Sequence, residues 1–315
     1  IPLSYSNTFN GLKNNLRLSI DVSSRTVDYQ TKDQVGHTHI VGLDVHKVFS
    51  DSQGDVGTLV FQGYMTQLDN QVQHPGFFED ENDSRLVYRI VTFNFTKTQY
   101  WQPNIKVGHL EIPYGLEHSI NTNGTLKGYG QGPNIGIKAD WGVSLNKQHQ
   151  KFEYEISTTT GGNQSLESQD SSYVYSARIG TPRHHNQVMG VSAYDSKIAN
   201  NTRSRLAFDI QHYWGLFSLY GQLDIGDTNQ QDIKKILGEF NWRDSRELTQ
   251  IYFQSHYTQQ DQATQQTQHH YVIGAQLDYR QQWDISTQFQ WDQQVFDNHQ
   301  KNKKLSFQLR YRFSN

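Results

Sequence analysis

No cysteine occurs among the 315 residues, which excludes disulfide staples, thiol nucleophiles and cysteine zinc sites. Hydrophobic residues are scarce at 34%, against roughly 45–50% in an ordinary soluble domain. That is too few to fill a packed core of this size. No run of 18 apolar residues occurs and mean hydropathy is −0.79, so membrane-spanning helices are excluded. Basic charge is not in excess either. With 28 Lys and Arg against 31 Asp and Glu, the net charge is −3, which rules out a strongly basic nucleic-acid footprint. A Gly-x-Ser-x-Gly elbow is missing, and the glycine pairs at 161–162 and 128–130 lack the strand–helix setting of a phosphate cradle. Catalysis is therefore not expected. The opening Ile1-Pro2-Leu3-Ser4 has neither the basic nor the apolar segment of a secretory signal, so in an exported protein the signal peptide is already removed.

What is present is aromatic and polar. Aromatic residues reach 13%, with 18 Tyr, 16 Phe and 6 Trp, which argues against disorder. Apolar and polar residues alternate with period two almost everywhere, and helical period is nearly absent. Over Asn134–Asn146 the apolar face is Ile135, Ile137, Ala139, Trp141, Val143 and Leu145. Leu305, Phe307, Leu309, Tyr311 and Phe313 repeat the pattern near the end of the chain. About sixteen such segments recur, roughly one per 20 residues, which suits tilted strands of ~9–11 residues. Short connections such as Ser50–Asp55 and Asn146–Gln150 alternate with long polar ones at Ser24–Val35, Asp69–Ser84, Pro113–Pro133, Thr158–Ser172 and Gln259–Gln268. A soluble β-sandwich also alternates, but its apolar face must fill the interior. About sixteen strands would enclose a lumen too wide for side chains to fill, so water fills it and the apolar face meets lipid. The expected fold is an all-β transmembrane antiparallel β-barrel, an up-and-down meander forming a single domain over 1–315. The alternation slips within Leu86–Phe95 and Ile105–Ile112, which read as β-bulges. A strand covered on both sides, by a folded-in loop or a neighbouring subunit, would look the same.

Two segments carry a family resemblance. The terminal Leu305–Phe313 segment, LSFQLRYRF, resembles the closing strand of bacterial outer-membrane porins. The segment VGHLEIPYGLEH at 107–118 resembles the G-x-x-x-x-P-[FY]-G-L-E stretch of phosphate-selective porin O/P-like families, which opens the long loop that folds into the pore. The resemblance implies a passive diffusion channel for small hydrophilic solutes or ions. It also implies a bacterial outer membrane with its lipid and lipopolysaccharide, a trimer, no cofactor and no nucleic acid. The lysine- and arginine-dense array of the phosphate-selective proteins is not found, which leaves the solute open. A different class of function would be a barrel scaffold or sheath around a lipoprotein or electron-transfer partner.

The polar face of the alternation assigns Arg17, Asp21, Asp44, Lys138, Asp140, Glu153, Glu155, Arg178, Arg310 and Arg312 to the pore lining. The loop at 114–132 is the expected constriction, with Glu117, His118 and Lys127 as its charges. Arg17, Arg310 and Arg312 are expected to face Glu153 and Glu155 across the water, giving a transverse field. The other reading is a lumen of locally paired charges. An even strand count puts both chain ends, including a 1–13 segment, on the periplasmic side. The acidic run Glu79, Asp80, Glu81 and Asp83 reads as a solvated extracellular loop. His37 with His39, His184 with His185, and His269 with His270 read as surface residues, with no metal expected. Tyr100, Trp101, Tyr213, Trp214, Trp242, Tyr257, Trp283 and Trp291 read as interfacial girdles rather than sugar platforms.

Overall fold

A strand that turns one face to lipid cannot leave its edge unpaired, because hydrocarbon offers no partner for backbone N–H and C=O groups. The chain meets that condition by closing on itself. The computed structural model describes residues 15–31, 33–69, 84–120, 122–167, 171–261, 265–280, 282–294 and 302–314. The 1–13 segment and the acidic run at 79–83 lie outside the described residues.

Sixteen strands follow in order: β1 (Leu16–Tyr29), β2 (Gln34–Asp51), β3 (Gly54–Asp69), β4 (Ser84–Phe95), β5 (Asn104–Glu111), β6 (Ala139–Gln148), β7 (Glu153–Thr159), β8 (Tyr173–Gly180), β9 (Gln187–Ile198), β10 (Asn201–Trp214), β11 (Phe217–Thr228), β12 (Gln231–Arg243), β13 (Thr249–Asp261), β14 (Gln265–Tyr279), β15 (Trp283–Gln294) and β16 (Lys303–Ser314). Each pairs antiparallel with its sequence neighbours, and β1 closes on β16 from Ser19↔Ser314 to Tyr29↔Lys304. The start of β1 and the end of β16 therefore share one end of the barrel, here the terminal end. The three longest connections, 70–83, 112–138 and 160–172, leave from the opposite, loop end.

The barrel is inverted relative to a soluble protein. Ile20, Val41, Leu43, Phe208, Phe240, Ile273 and Phe307 are exposed on the outer wall, while Ser19, Asp21, Asp209, Glu239, Gln254 and Gln308 are buried on the inner one. Exposing that much apolar surface to water would cost about 25 cal/mol per Å², so the outer wall faces lipid. At the terminal end its aromatics gather as Trp214, Phe217 and Phe240, with neighbouring ring centroids 5.7–6.3 Å apart, and as Trp283 on Tyr311 at 4.8 Å. At the loop end Tyr271 stacks on Trp291 at 5.5 Å. Aromatic rings are the side chains that gather at the two interfaces of membrane barrels.

Three local expectations need correction. Ser24–Val35 and Gln259–Gln268 are not long connections; β1, β2, β13 and β14 run on through most of them. On β1 the outward residues become Ser24, Thr26 and Asp28, so the hydropathy alternation fades although the strand continues. The alternation at Asn134–Lys138 is not strand either. Gln131–Ile135 forms a five-residue helix, α1, and β6 begins only at Ala139. The slip within Leu86–Phe95 is a bulge: Gln62 pairs with Ile90 and Gly63 with Tyr88, leaving Arg89 as the extra residue. The slip within Ile105–Ile112 is not. The β5–β6 register is unbroken from Asn104↔Asn146 to Glu111↔Ala139. The pattern changes because β5 parts from β4 beyond His109, while still paired with β6, and its residues there are covered on both sides.

Candidate functional site

The departure of β5 is set by one glycine. Gly108 holds φ at +124°, and a Cβ there would run into the Val91 carbonyl. The β4–β5 ladder ends at Val91↔His109, and the chain from Ile112 to Lys138 then crosses the lumen. Its first leg reaches the wall formed by β9 and β11. The Tyr114 hydroxyl donates to Asp224 at 2.6 Å, the Gly115 N–H to the Ser192 hydroxyl at 3.0 Å, and the Leu116 N–H to the Gln222 side-chain carbonyl at 2.7 Å. Ile112, Tyr114, Ile135 and Ile137 pack there against Val174, Tyr194 and Ala207, a small apolar core inside a polar tube.

After the helical turn Leu116–His118, the loop crosses to β1, β3 and β16. Asn123 donates to the Tyr64 hydroxyl at 2.8 Å. Arg310, Gln308 and Arg25 donate to the carbonyls of Asn123, Gly124 and Thr125 at 3.0, 2.6 and 3.3 Å. The next anchor is on β12, where Lys127 reaches Glu239 at 2.8 Å and Asn241 at 2.5 Å and sits 4.6 Å over the Tyr252 ring. The return leg is closed by Glu117, which accepts from the Gln131 N–H at 2.8 Å and from Lys138 at 2.6 Å. The loop thus touches the wall on every side, and the lumen narrows to what it leaves.

Two of the cavities among the described residues flank the loop. The larger, about 890 Å³, opens on the β12–β16 and β1–β2 side and is lined in part by Arg25, Tyr64, Glu117, Lys127, Lys235 and Gln308. The smaller, about 350 Å³, is lined by His118 with residues of β6–β8 and the following turn, among them Lys147, Glu153, Glu155, Arg178 and Arg183. Glu117 borders one and His118 the other, so the helical turn is the partition between them.

Of the expected pore residues, Asp21, Lys138, Glu153, Glu155 and Arg178 line these cavities. Arg17 is exposed near the terminal rim. Asp140 does not line either: it is fully buried and accepts from the Gly161 N–H at 2.5 Å and the Thr160 hydroxyl at 3.3 Å. The charges are paired locally. Arg310 clamps Asp21 through Nε and Nη2. Arg312 reaches Asp44 at 3.1 Å and Arg178 reaches Asp209 at 2.7 Å. Glu155 accepts from Lys106 and Ser144, both at 2.6 Å, and Glu153 from Arg183 at 3.3 Å. A basic wall facing an acidic one is therefore not what the lumen presents. His118 Nε2 lies 3.5 Å from Glu155. Burial, with Arg183, Arg178 and Lys106 close by, holds its imidazole well below the ordinary histidine range, hence neutral.

Arg25, Tyr64, Asp209, Asp224 and Glu239 were not singled out from the sequence, yet they hold the loop or pair the lumen's charges. The same alternation marks them: in LAFDIQ and ILGEFN the inward parity falls on Asp209 and Glu239. His37 and His39, stacked 6.5 Å apart, sit on β2 without a third ligand among the described residues.

No protein-family model and no curated protein matches the chain. Solved structures do. OprB of Pseudomonas putida aligns with a TM-score of 0.73 at 10% identity, over 99% of this chain and 96% of that one. The fold is that of the outer-membrane porins. An anion-selective porin from Comamonas acidovorans aligns with a TM-score of 0.66 at 10% identity, over 95% and 98% of the two chains. The trimer form of OmpT of Vibrio cholerae gives 0.66 at 11% identity, over 95% and 99%.

Proposed function

We propose that this porin-fold barrel is a passive, non-catalytic channel of the bacterial outer membrane that passes small hydrophilic solutes and prefers anions. One observation carries the preference. The larger cavity is lined by seven cationic side chains, Arg25, Arg89, Lys127, Lys138, Lys235, Lys303 and Lys304, against four carboxylates, Asp21, Glu117, Asp224 and Asp292. The smaller has Lys147, Arg178 and Arg183 against Glu153 and Glu155. Both compartments are thus net cationic in a chain whose net charge is −3. Charges lining the narrow part of a water-filled pore set which ions enter it. The kinship with phosphate-selective porins rests on the 107–118 motif, and a trimer on the likeness to the OmpT form. A sheath around a threaded partner is disfavoured, because the loop at 112–138 spans the space that partner would need.

Reversal potentials across a salt gradient in planar bilayers test this reading. The wild type should reverse on the anion side, and Arg25→Glu with Lys235→Glu should shift it toward cations. Cation preference in the wild type would refute it. Deleting 121–128 should raise conductance while the barrel stays folded; unchanged conductance would remove the loop from its constricting role.

A further inference from the structure

We infer that Gln164, in the surface loop that follows β7, is a positioning residue for the constriction loop. This rests on the reading of 112–138 as the constriction. Among the described strand pairs, β4–β5 is the shortest, five rungs from Phe95↔Ile105 to Val91↔His109. Beyond Val91, β4 continues to Ser84 with β3 on one side and no strand on the other. An edge left open at membrane depth would strand its polar groups.

Gln164 closes it. The Tyr88 N–H donates to Gln164 Oε1 at 2.9 Å, and Gln164 Nε2 donates to the Tyr88 carbonyl at 2.8 Å. One side-chain amide reproduces one rung of a β-ladder. The same loop then grips the exit root of the constriction, and the exit root packs against the entry root. On the exit root, Trp141 Nε1 donates to the Gln164 carbonyl at 3.1 Å, the Thr160 N–H donates to the Trp141 carbonyl at 2.9 Å, and the Gly161 N–H donates to Asp140 at 2.5 Å. On the entry root, buried His109 bonds the Arg89 carbonyl through Nδ1 at 3.0 Å and packs its ring against Trp141 at 5.4 Å. The loop outside the wall and the loop inside it are fastened at one seam. Losing the amide leaves Tyr88 unsatisfied, and the cheapest response is for the seam to widen and the roots to move.

The experiment is single-channel recording of the full chain in planar bilayers, with heat-dependent gel mobility to report barrel integrity. Gln164→Met keeps the length and removes the amide. It should increase the time spent in altered-conductance substates by about tenfold, the factor that about one net hydrogen bond supplies. Trp141→Phe should move in the same direction by less. Leu166→Ala, in the same loop and 68% exposed, should behave as wild type. In the 121–128 deletion Gln164→Met should add no further substates, because no loop tip remains to be positioned; a purely structural role would still add them. Wild-type recordings from Gln164→Met and Trp141→Phe would overturn the inference, as would an equal effect from Leu166→Ala. Should the deletion raise conductance while Gln164→Met stays silent, the latch fails and the constriction stands. Should the deletion change nothing, the constriction reading fails with it.

Discussion

Replacing Lys127 by Met should unpin the constriction loop from the β12 wall. The Lys127 side chain is 7% exposed and that of Glu239, its partner, 0%. Glu239 also accepts from Gln254 at 2.7 Å, so the carboxylate stays buried and partly bonded when its cation is gone. Removing one member of a buried pair costs about 3–5 kcal/mol, because the remaining charge is uncompensated. The barrel ladder need not absorb that cost. The loop segment beyond Thr125 can lift from β12 and let water reach Glu239, while Asn123, Gly124 and Thr125 keep their bonds to Tyr64, Gln308, Arg310 and Arg25. Such a loss raises the relative population of the unpinned state by roughly 10² to 10⁴. In planar bilayers the variant should show a larger or markedly unsteady conductance with unchanged heat stability of the barrel. Adding Glu239→Gln removes the stranded charge, so the double variant should regain most of the wild-type behaviour, and the cycle gives the coupling energy directly. Wild-type conductance in Lys127→Met, or a double variant as disturbed as the single, would refute the reasoning.

Gly108→Ala should cost more than any other small substitution in β5, since the new Cβ meets the Val91 carbonyl and φ is +124°. The unfolding free energy from urea titration in detergent should fall by several kcal/mol, or folding should fail, whereas Gly238→Ala, which meets nothing within 4 Å, serves as the silent control. His118 makes the fold acid-sensitive. Its native imidazole resists protonation, so the unfolded chain takes up the proton first, and stability falls as pH drops below the ordinary value of 6.5. His118→Asn should flatten that part of the stability–pH curve; an identical slope in the variant would show that other groups set it.

Most of the wall was legible because each strand answers to lipid residue by residue. Each of the sixteen strands carries one of the segments inferred from alternation, although at Asn134–Lys138 the pattern runs ahead of β6; an outward Phe or Val followed by an inward Asp or Gln is a local requirement. The loop was legible as a loop, through its length and the Pro113-Tyr114-Gly115 motif, but its route was not. Tyr114 meets Asp224 110 positions away and Arg310 meets Asn123 187 positions away. No local pattern encodes such distances. The charge pairing was hidden for the same reason. Arg310 and Asp21 lie on strands joined only by barrel closure, whose register, Asp21↔Arg312, is fixed by the whole circuit. Where the outward face turns polar, as at Ser24, Thr26 and Asp28, the period-two signal disappears although the ladder continues.

The pairing has a consequence for selectivity that a transverse field would not share. A carboxylate held 2.6 Å from an ammonium, as Glu155 is from Lys106, acts on a passing ion as a dipole, whose field falls off faster than that of a lone charge. Salt then screens what is left over about 8–10 Å. The far field of the lumen is therefore set by the cations left over, and Arg25 is one of them: it bonds Gln308 and the Thr125 carbonyl and makes no ion pair among the described residues. Removing a pair should change little. Lys106→Gln with Glu155→Gln should leave the reversal potential where it was, although it deletes a charge from what would be the acidic wall. Arg25→Gln alone should shift it toward cations. If the paired deletion moves the reversal potential and Arg25→Gln does not, Glu155 acts as an unpaired wall charge and the local-pairing account of the lumen is wrong.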